Sequence, residues 1–307
     1  LFRSDALGEM SPDRAIPFQL SFDGVGQHDF LRGVPGAEER TLDALRLLQE
    51  RGHPVSVSYS LHRGNMDAVR ESVRLMASLG VRNVKVGTMM ELGEWTSAEV
   101  RGLQLSMEET FAFFERYIPQ YFEDDAPLDI MLSGVFSYSP GDPEWSSFLE
   151  MPTTPEEREE RPACGALVPN FYIGADGAVA PCMGIADCGI ASALPNLFET
   201  PLREILGDSE LMRMCNATVA EVHAGNEECA ACGYKDRCGG GCRNSALMEC
   251  DNYYGPDPEA CWFFNHDGPE RIRAAAEAPF AAYLERCPPD GGRPGPDYHG
   301  DSGQNCP

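Results

Sequence analysis

The cysteines constrain this chain more than any other feature. Twelve occur in 307 residues, and none precedes Cys164. Seven of them are spaced as Cys164-x12-Gly177-x4-Cys182, then Cys229-x2-Cys232-x5-Cys238-x3-Cys242, then Cys261. Close spacings let one loop wrap a metal centre, and distant cysteines close the cage around it. Gly239, Gly240 and Gly241, between two of them, permit the tight positive-φ turns such a loop needs. The opening stretch, Leu1 to Met10, is mixed and charged and has no secretion-signal pattern. In a reducing compartment clustered cysteines bind metal more often than they pair. A cytoplasmic protein is therefore expected, with thiolates suited to zinc or to iron–sulfur clusters.

Charge narrows the partners. Against 24 basic residues stand 49 acidic ones, a net charge of −25. Phosphate binding needs basic patches, so nucleic acid is disfavoured and the charge reads as a solvated acidic surface. The apolar runs fall far short of the roughly 20 residues that span a bilayer, so no membrane partner is expected.

The N-terminal half alternates strand and helix signals. Strands are predicted over Pro17–Phe22, Val55–Leu61 and Val81–Val86, with one more over Met131–Phe136. Helices are predicted over Glu38–Arg51, Met66–Leu79 and Met107–Phe122. That order argues for parallel βα units, too few for a closed eight-stranded barrel. Residues 137–162, rich in Pro, Ser and Glu, read as a linker. Beyond them Phe171–Ala180 is a β-hairpin candidate around an Asp-Gly turn. Helices are predicted over Pro201–Met214 and Arg271–Arg286, with little regular structure over 225–242. The tail, 287–307, is Pro/Gly-rich and reads as disordered.

The cysteine pattern resembles the SPASM domain, the twin-cluster C-terminal extension of radical S-adenosylmethionine (radical SAM) enzymes. Its flanks agree: GADGAVAPC ending at Cys182, PNLFETPLREIL from Pro195, and CGGGCR at Cys238. In the N-terminal half, QLSFDGVGQHDFLRG (Gln19 to Gly33) is similar to the fourth strand and following loop of the radical SAM barrel. HPVSVSYSLHRGN (His53 to Asn65) is similar to the fifth strand and the Asn after it. The resemblance implies an α/β chain with a partial radical SAM (β/α) barrel over 1–136 and a small irregular SPASM iron–sulfur domain with a β-hairpin over 163–286.

It also implies two auxiliary 4Fe–4S clusters. Cys229, Cys232, Cys238 and Cys261 would hold the outer one, and Cys164, Cys182 and Cys242 the inner one. The sulfatase-maturating branch has a further Cys at the position of Arg158 here. Cys188 is the candidate replacement, with an open iron site as the alternative. Cys215, Cys250, Cys287 and Cys306 are left as buried or tail thiols. Ser21 and Asp23 of the SFDG segment would bind S-adenosylmethionine, Ser21 at the ribose; a strand-end hydroxyl capping its own loop is the competing reading of Ser21. His28, Asp29 and Arg32 match family hallmarks and read equally as a loop-stabilising ion pair. Met183 stands where sulfatase-maturating enzymes have an Asp that acts as base, which argues against sulfatase maturation.

By resemblance the activity is that of a peptide maturase. A 5′-deoxyadenosyl radical would take a hydrogen from a ribosomal precursor peptide, leading to a thioether or carbon–carbon cross-link, with a reductant such as flavodoxin or ferredoxin. The residues alone leave open a non-catalytic iron–sulfur electron-transfer or peptide-binding module, and a zinc scaffold. The family cleaves S-adenosylmethionine at a third cluster held by CxxxCxxC, and no such motif occurs in this chain. That cofactor and cluster are expected only with a missing N-terminal part, the chain being either a fragment, as Leu1 suggests, or a truncated inactive relative. The 307-residue chain by itself should then form no 5′-deoxyadenosine under anaerobic dithionite. Chromatography that finds it above a no-enzyme control would place a cleaving cluster within these residues.

Overall fold

Val55, Val57, Tyr59 and Leu61 alternate inward along one strand, and that alternation sets the centre of a sheet. In this computed structural model, which describes residues 18–89, 102–150, 154, 157, 160–164, 171–186, 194–207 and 210–289, the sheet has five strands. Phe18–Ser21 (β1), Val55–Leu61 (β2), Asn83–Thr88 (β3) and Asp129–Leu132 (β4) run parallel in that order. Phe136–Tyr138 (β5) turns back antiparallel to β4. The register puts Val57 beside Val84 and Val84 beside Ile130, each 1% exposed.

Parallel neighbours need long crossovers, and helices supply them. His28–Arg32 (α1) and Ala37–Glu50 (α2) join β1 to β2, Val69–Ser78 (α3) joins β2 to β3, and Met107–Glu123 (α4) lies between β3 and β4. Ser106 and Glu109 form a reciprocal capping box that starts α4. Its aromatic side fills the core: Phe111, Phe114, Tyr117, Tyr121 and Phe122 are each no more than 2% exposed. The Tyr121 hydroxyl donates to the Leu128 carbonyl at 2.6 Å, so its polar end is satisfied inside.

By packing, the described residues divide into two compact units. One holds 18–89, 102–147 and 270–289; the other holds 148–269. The last helix, Gly268–Arg286, therefore has most of its length in the first unit, where the Phe280 and Tyr283 rings lie 5.3 and 5.7 Å from Phe122. There Arg271 sits over the Phe111 ring and pairs with Glu108 and Glu115 of α4.

The second unit has the expected hairpin, with Tyr172–Ile173 (β6) antiparallel to Val179–Ala180 (β7). The rest is short helices: Met183–Ala186 (α5), Leu202–Ile205 (α6), Glu210–Asn216 (α7), Val219–Ala224 (α8), Glu227–Ala231 (α9), Arg243–Cys250 (α10) and Pro258–Asn265 (α11). Gly268–Arg286 completes the chain order as α12.

Three predicted elements come out differently. The strand expected over Met131–Phe136 is a hairpin, because Ser133 and Gly134 take φ of 43° and 76° and break the extended run. The helix expected over Pro201–Met214 is two helices, α6 and α7, the first ending beside Gly207. Residues 225–242 were expected to be irregular but include α9, whose first turn is capped by the Asn226 side chain on the Cys229 N–H at 2.8 Å. Most of the predicted tail, residues 290–307, lies outside the described residues. Among the described residues no helix is long and apolar enough to cross a membrane.

Phe114 is fully buried and meets Phe111 and Phe113 edge-on. Phe114→Ala should destabilise the first unit by about 3–5 kcal/mol, read as a lower denaturant midpoint at unchanged slope.

Candidate functional site

Four of the patterned cysteines come together in the second unit. Cys229 sits on α9 and Cys232 at its C-terminal end, with the Cys232 N–H donating to the Cys229 carbonyl at 3.2 Å. Cys238 follows in the next loop, and Cys261 comes from α11. Burial first, then the Cys229, Cys238 and Cys232 thiols and Asp257, push the Cys261 thiol up to about 12. Burial, with Cys229 and Cys232 adding to it, pushes Cys238 up to about 11 against an opposing Gly240 N–H. Cys238 and Cys261 both feel Cys229 and Cys232, so the four sulfurs lie near one locus.

The loop is held by buried polar ties. Gly239 N–H donates to the Leu149 carbonyl at 2.8 Å, where Glu150 bridges Cys238 antiparallel. Arg243 is 1% exposed, and its guanidinium donates to the carbonyls of Tyr253 (2.9 Å), Gly255 (2.8 Å) and Gly240. Asp257, 2% exposed, accepts the Cys242 N–H at 2.9 Å and caps α11 through the Glu259 and Ala260 N–H groups. Gly241 has φ +73°, and a Cβ there would collide with the Asp257 carboxyl.

A second group lies around β7. Val179, Ile205 and Cys215 form a small buried cluster, and Cys164 and Cys182 pack against it. Burial, then the Cys164 and Cys182 thiols, raise the Cys215 pKa. Cys182 and Cys242 stand at the starts of α5 and α10, two helix ends in close approach: a Cβ on Gly184 would meet the Asn244 amide at 2.5 Å. Cys188 lies outside the described residues, as does Arg158. Cys250 is exposed, its thiol 3.5 Å from the Pro256 carbonyl. Cys287 is disulfide-bonded, so the expectation of thiols throughout does not extend to this cysteine, which stands outside the spaced pattern.

The donor chemistry fits iron–sulfur clusters. Every patterned donor is a thiol, and four of the sulfurs accept backbone N–H groups from residues just after them. Tyr234 donates to Cys232 at 3.4 Å and Gly240 to Cys238 at 3.3 Å. Gly184 and Ile185 serve Cys182, and Asn244 and Ser245 serve Cys242. Such N–H···S bonds favour the thiolate and tune a cluster's potential. Cys242 and Cys261 are exposed as whole residues, yet burial is the largest influence on both sulfurs. Among the described residues no three His, Cys, Asp or Glu side chains are placed to share one metal ion.

In the first unit, the loop after β1 is built on Asp23. This carboxylate is fully buried and meets His28 Nδ1 at 3.0 Å, Arg32 at 2.7 Å and the Ser60 N–H at 3.0 Å. Asn65 ties the same loop to β2, donating to the carbonyls of Asp23 and Ser60, each at 2.9 Å. Asp29 accepts the N–H groups of Gly36 and Glu38 at 2.6 and 2.7 Å and so caps α2. Ser21 is exposed at the C-terminal end of β1, the end where parallel-sheet sites collect. The sequence reading singles out Ser21, Asp23, His28, Asp29, Arg32 and Asn65 here, but not Arg243 or Asp257, which carry no spacing signal.

Residues 164–233 match the SPASM iron–sulfur cluster-binding domain. The PqqA peptide cyclase of Gluconobacter oxydans (strain 621H) is 25% identical over 264 residues, 84% of this chain and 65% of the relative. The AdoMet-dependent heme synthase of Methanosarcina barkeri (strain Fusaro / DSM 804) is 24% identical over 252 residues, 78% of this chain and 65% of the relative. The chain thus spans 65% of the length of these two curated relatives. Among solved structures, Streptococcus suis SuiB bound to precursor peptide SuiA superposes with a TM-score of 0.56 at 17% identity, over 84% of this chain and 55% of that one. Native anSMEcpe with bound AdoMet gives 0.58 at 13% identity, over 93% of this chain and 71% of that one. The fold is the α/β fold of radical SAM/SPASM enzymes, and the resemblance read from the sequence holds.

Burial would raise the Asp23 carboxyl, but His28, the Ser60 N–H and the Arg32 charge outweigh it and hold it below the usual carboxylate range. A lowered folded pKa stabilises above the unfolded pKa and is lost as pH falls through the folded one. Asp23→Asn should therefore cost about 1–3 kcal/mol at neutral pH, the difference shrinking in acid. Denaturation of both proteins across that range checks it.

Proposed function

We propose that this chain works in a peptide-modifying radical SAM/SPASM enzyme as its electron-handling and substrate-facing part. The grouping of Cys229, Cys232, Cys238 and Cys261 at one locus, with backbone N–H groups aimed at two of their sulfurs, carries the reading. These four hold the outer 4Fe–4S cluster, and Cys164, Cys182 and Cys242 take the inner one. When bound, the clusters supply one-electron transfer and S-adenosylmethionine supplies hydrogen-atom abstraction.

The chain's own residues bind and position. Arg243 and Asp257 fix the loop whose thiolates divide between the two sites, Cys238 to one and Cys242 to the other. In the first unit Asp23 acts as a positioning residue: bonded to His28, Arg32 and Ser60, it shapes the loop beside Ser21. The exposed Ser21 hydroxyl is the group that contacts the nucleoside of S-adenosylmethionine. A precursor peptide is the substrate class, supported by the peptide cyclase relative and the SuiA-bound neighbour. A reductant such as flavodoxin or ferredoxin supplies the electrons.

Protein prepared anaerobically with excess iron should bind about eight irons per chain with matching sulfide. Cys232→Ala should lose about four of them, and Cys250→Ala none. A colourless, zinc-loaded protein, or equal loss in both variants, would overturn the assignment.

A further inference from the structure

We propose that Cys215 is the fourth thiolate of the inner cluster, joining Cys164, Cys182 and Cys242; this rests on the two-cluster reading above. The sequence spacing left that place to Cys188 or to an open iron. Packing gives it to a cysteine outside the spaced pattern. Cys215 is 3% exposed and lies in one buried cluster with Val179 and Ile205, against which the Cys164 and Cys182 side chains pack. Cys182 is joined to the start of α10, and hence to Cys242, by the close approach of Gly184 to Asn244. The Cys164, Cys182 and Cys215 side chains thus meet at one buried cluster, and Cys242 stands two residues from Asn244, whose side chain meets Gly184 of α5.

The backbone beside Cys215 is held in place. The Tyr253 hydroxyl donates to the Met214 carbonyl at 2.7 Å, fixing the peptide that enters Cys215. Tyr253 is itself 5% exposed and packs with Ile185, Ala217 and Leu247, a cluster that Cys182 also touches. One tyrosine therefore ties the turn carrying Cys215 to the core beside Cys182. The other described cysteines outside the pattern do not compete: Cys250 is exposed near Pro256, and Cys287 is disulfide-bonded.

The consequence for the site is chemical. With four thiolates every iron of the inner cluster is saturated, so no iron is left for a substrate thiol or carboxylate. The inner cluster then passes electrons and does not bind substrate.

The test uses the 307-residue chain, reconstituted anaerobically as wild type, Cys215→Ser, Cys215→Ala, Cys188→Ser and Cys182→Ala. A four-iron cluster with three thiolates loses its unprotected iron under mild ferricyanide oxidation, and the three-iron product has its own EPR signal. Serine keeps the volume of the buried site, so folding is retained. Both Cys215 variants should show the three-iron signal and lose about one of the inner cluster's four irons, whereas wild type and Cys188→Ser should not. The three-iron signal in Cys188→Ser, in wild type, or in neither Cys215 variant would overturn the proposal. Cys182→Ala tests the underlying reading separately: unchanged iron in that variant would sink the inner cluster itself.

Discussion

Thiolates gathered at one point repel one another, and this constraint organises the second unit. Burial and neighbouring sulfurs both disfavour ionisation of Cys238 and Cys261. Cationic iron reverses the sign of that crowding and converts it into binding free energy, which in such a domain is also folding free energy. Two of the unit's described buried clusters flank the cysteines and are small, one of three residues around Cys215 and one of four around Tyr253. Its ties are accordingly polar: the buried Arg243 guanidinium gathers three carbonyls, and Asp257 holds the Cys242 backbone.

Much of the first unit was legible because its strands and helices carry strong periods. The alternation along Val55–Leu61 and the aromatic side of Met107–Glu123 survive into the structure with shifts of a residue or two at their ends. The miss at Met131–Phe136 has a local cause. Its apolar residues suit one strand, and only the positive φ at Ser133 and Gly134 divides it. The short helices of the second unit escaped for a different reason. A helix such as Val219–Ala224 is too brief to show a period, and its signal lies in a capping box, Thr218 with Glu221.

The site divides along similar lines. Candidate ligands within one loop announce themselves by spacing, as Cys229, Cys232 and Cys238 do. Partners brought in by tertiary packing do not. Nothing in the interval between Cys182 and Cys215 distinguishes a donor from a packed thiol; the distinction comes from Val179 and Ile205, which set Cys215 beside two other sulfurs. Asp23, read from the sequence as a cofactor contact, has its carboxylate fully buried on His28, Arg32 and Ser60, partners that spacing does not announce.

The interleaving of the two thiol sets imposes an order on biogenesis. Proteins emerge from the ribosome N-terminus first and can fold as they emerge. On the proposed ligand sets, Cys164, Cys182, Cys215 and Cys242 all precede Cys261 in the chain and so leave the exit tunnel before it. The inner set is therefore complete first, and the outer one waits as three thiols on a glycine-hinged loop. A chain whose Cys261 has not yet emerged would carry one complete set and one with a missing leg, the species most exposed to oxidation or to capture of the wrong metal.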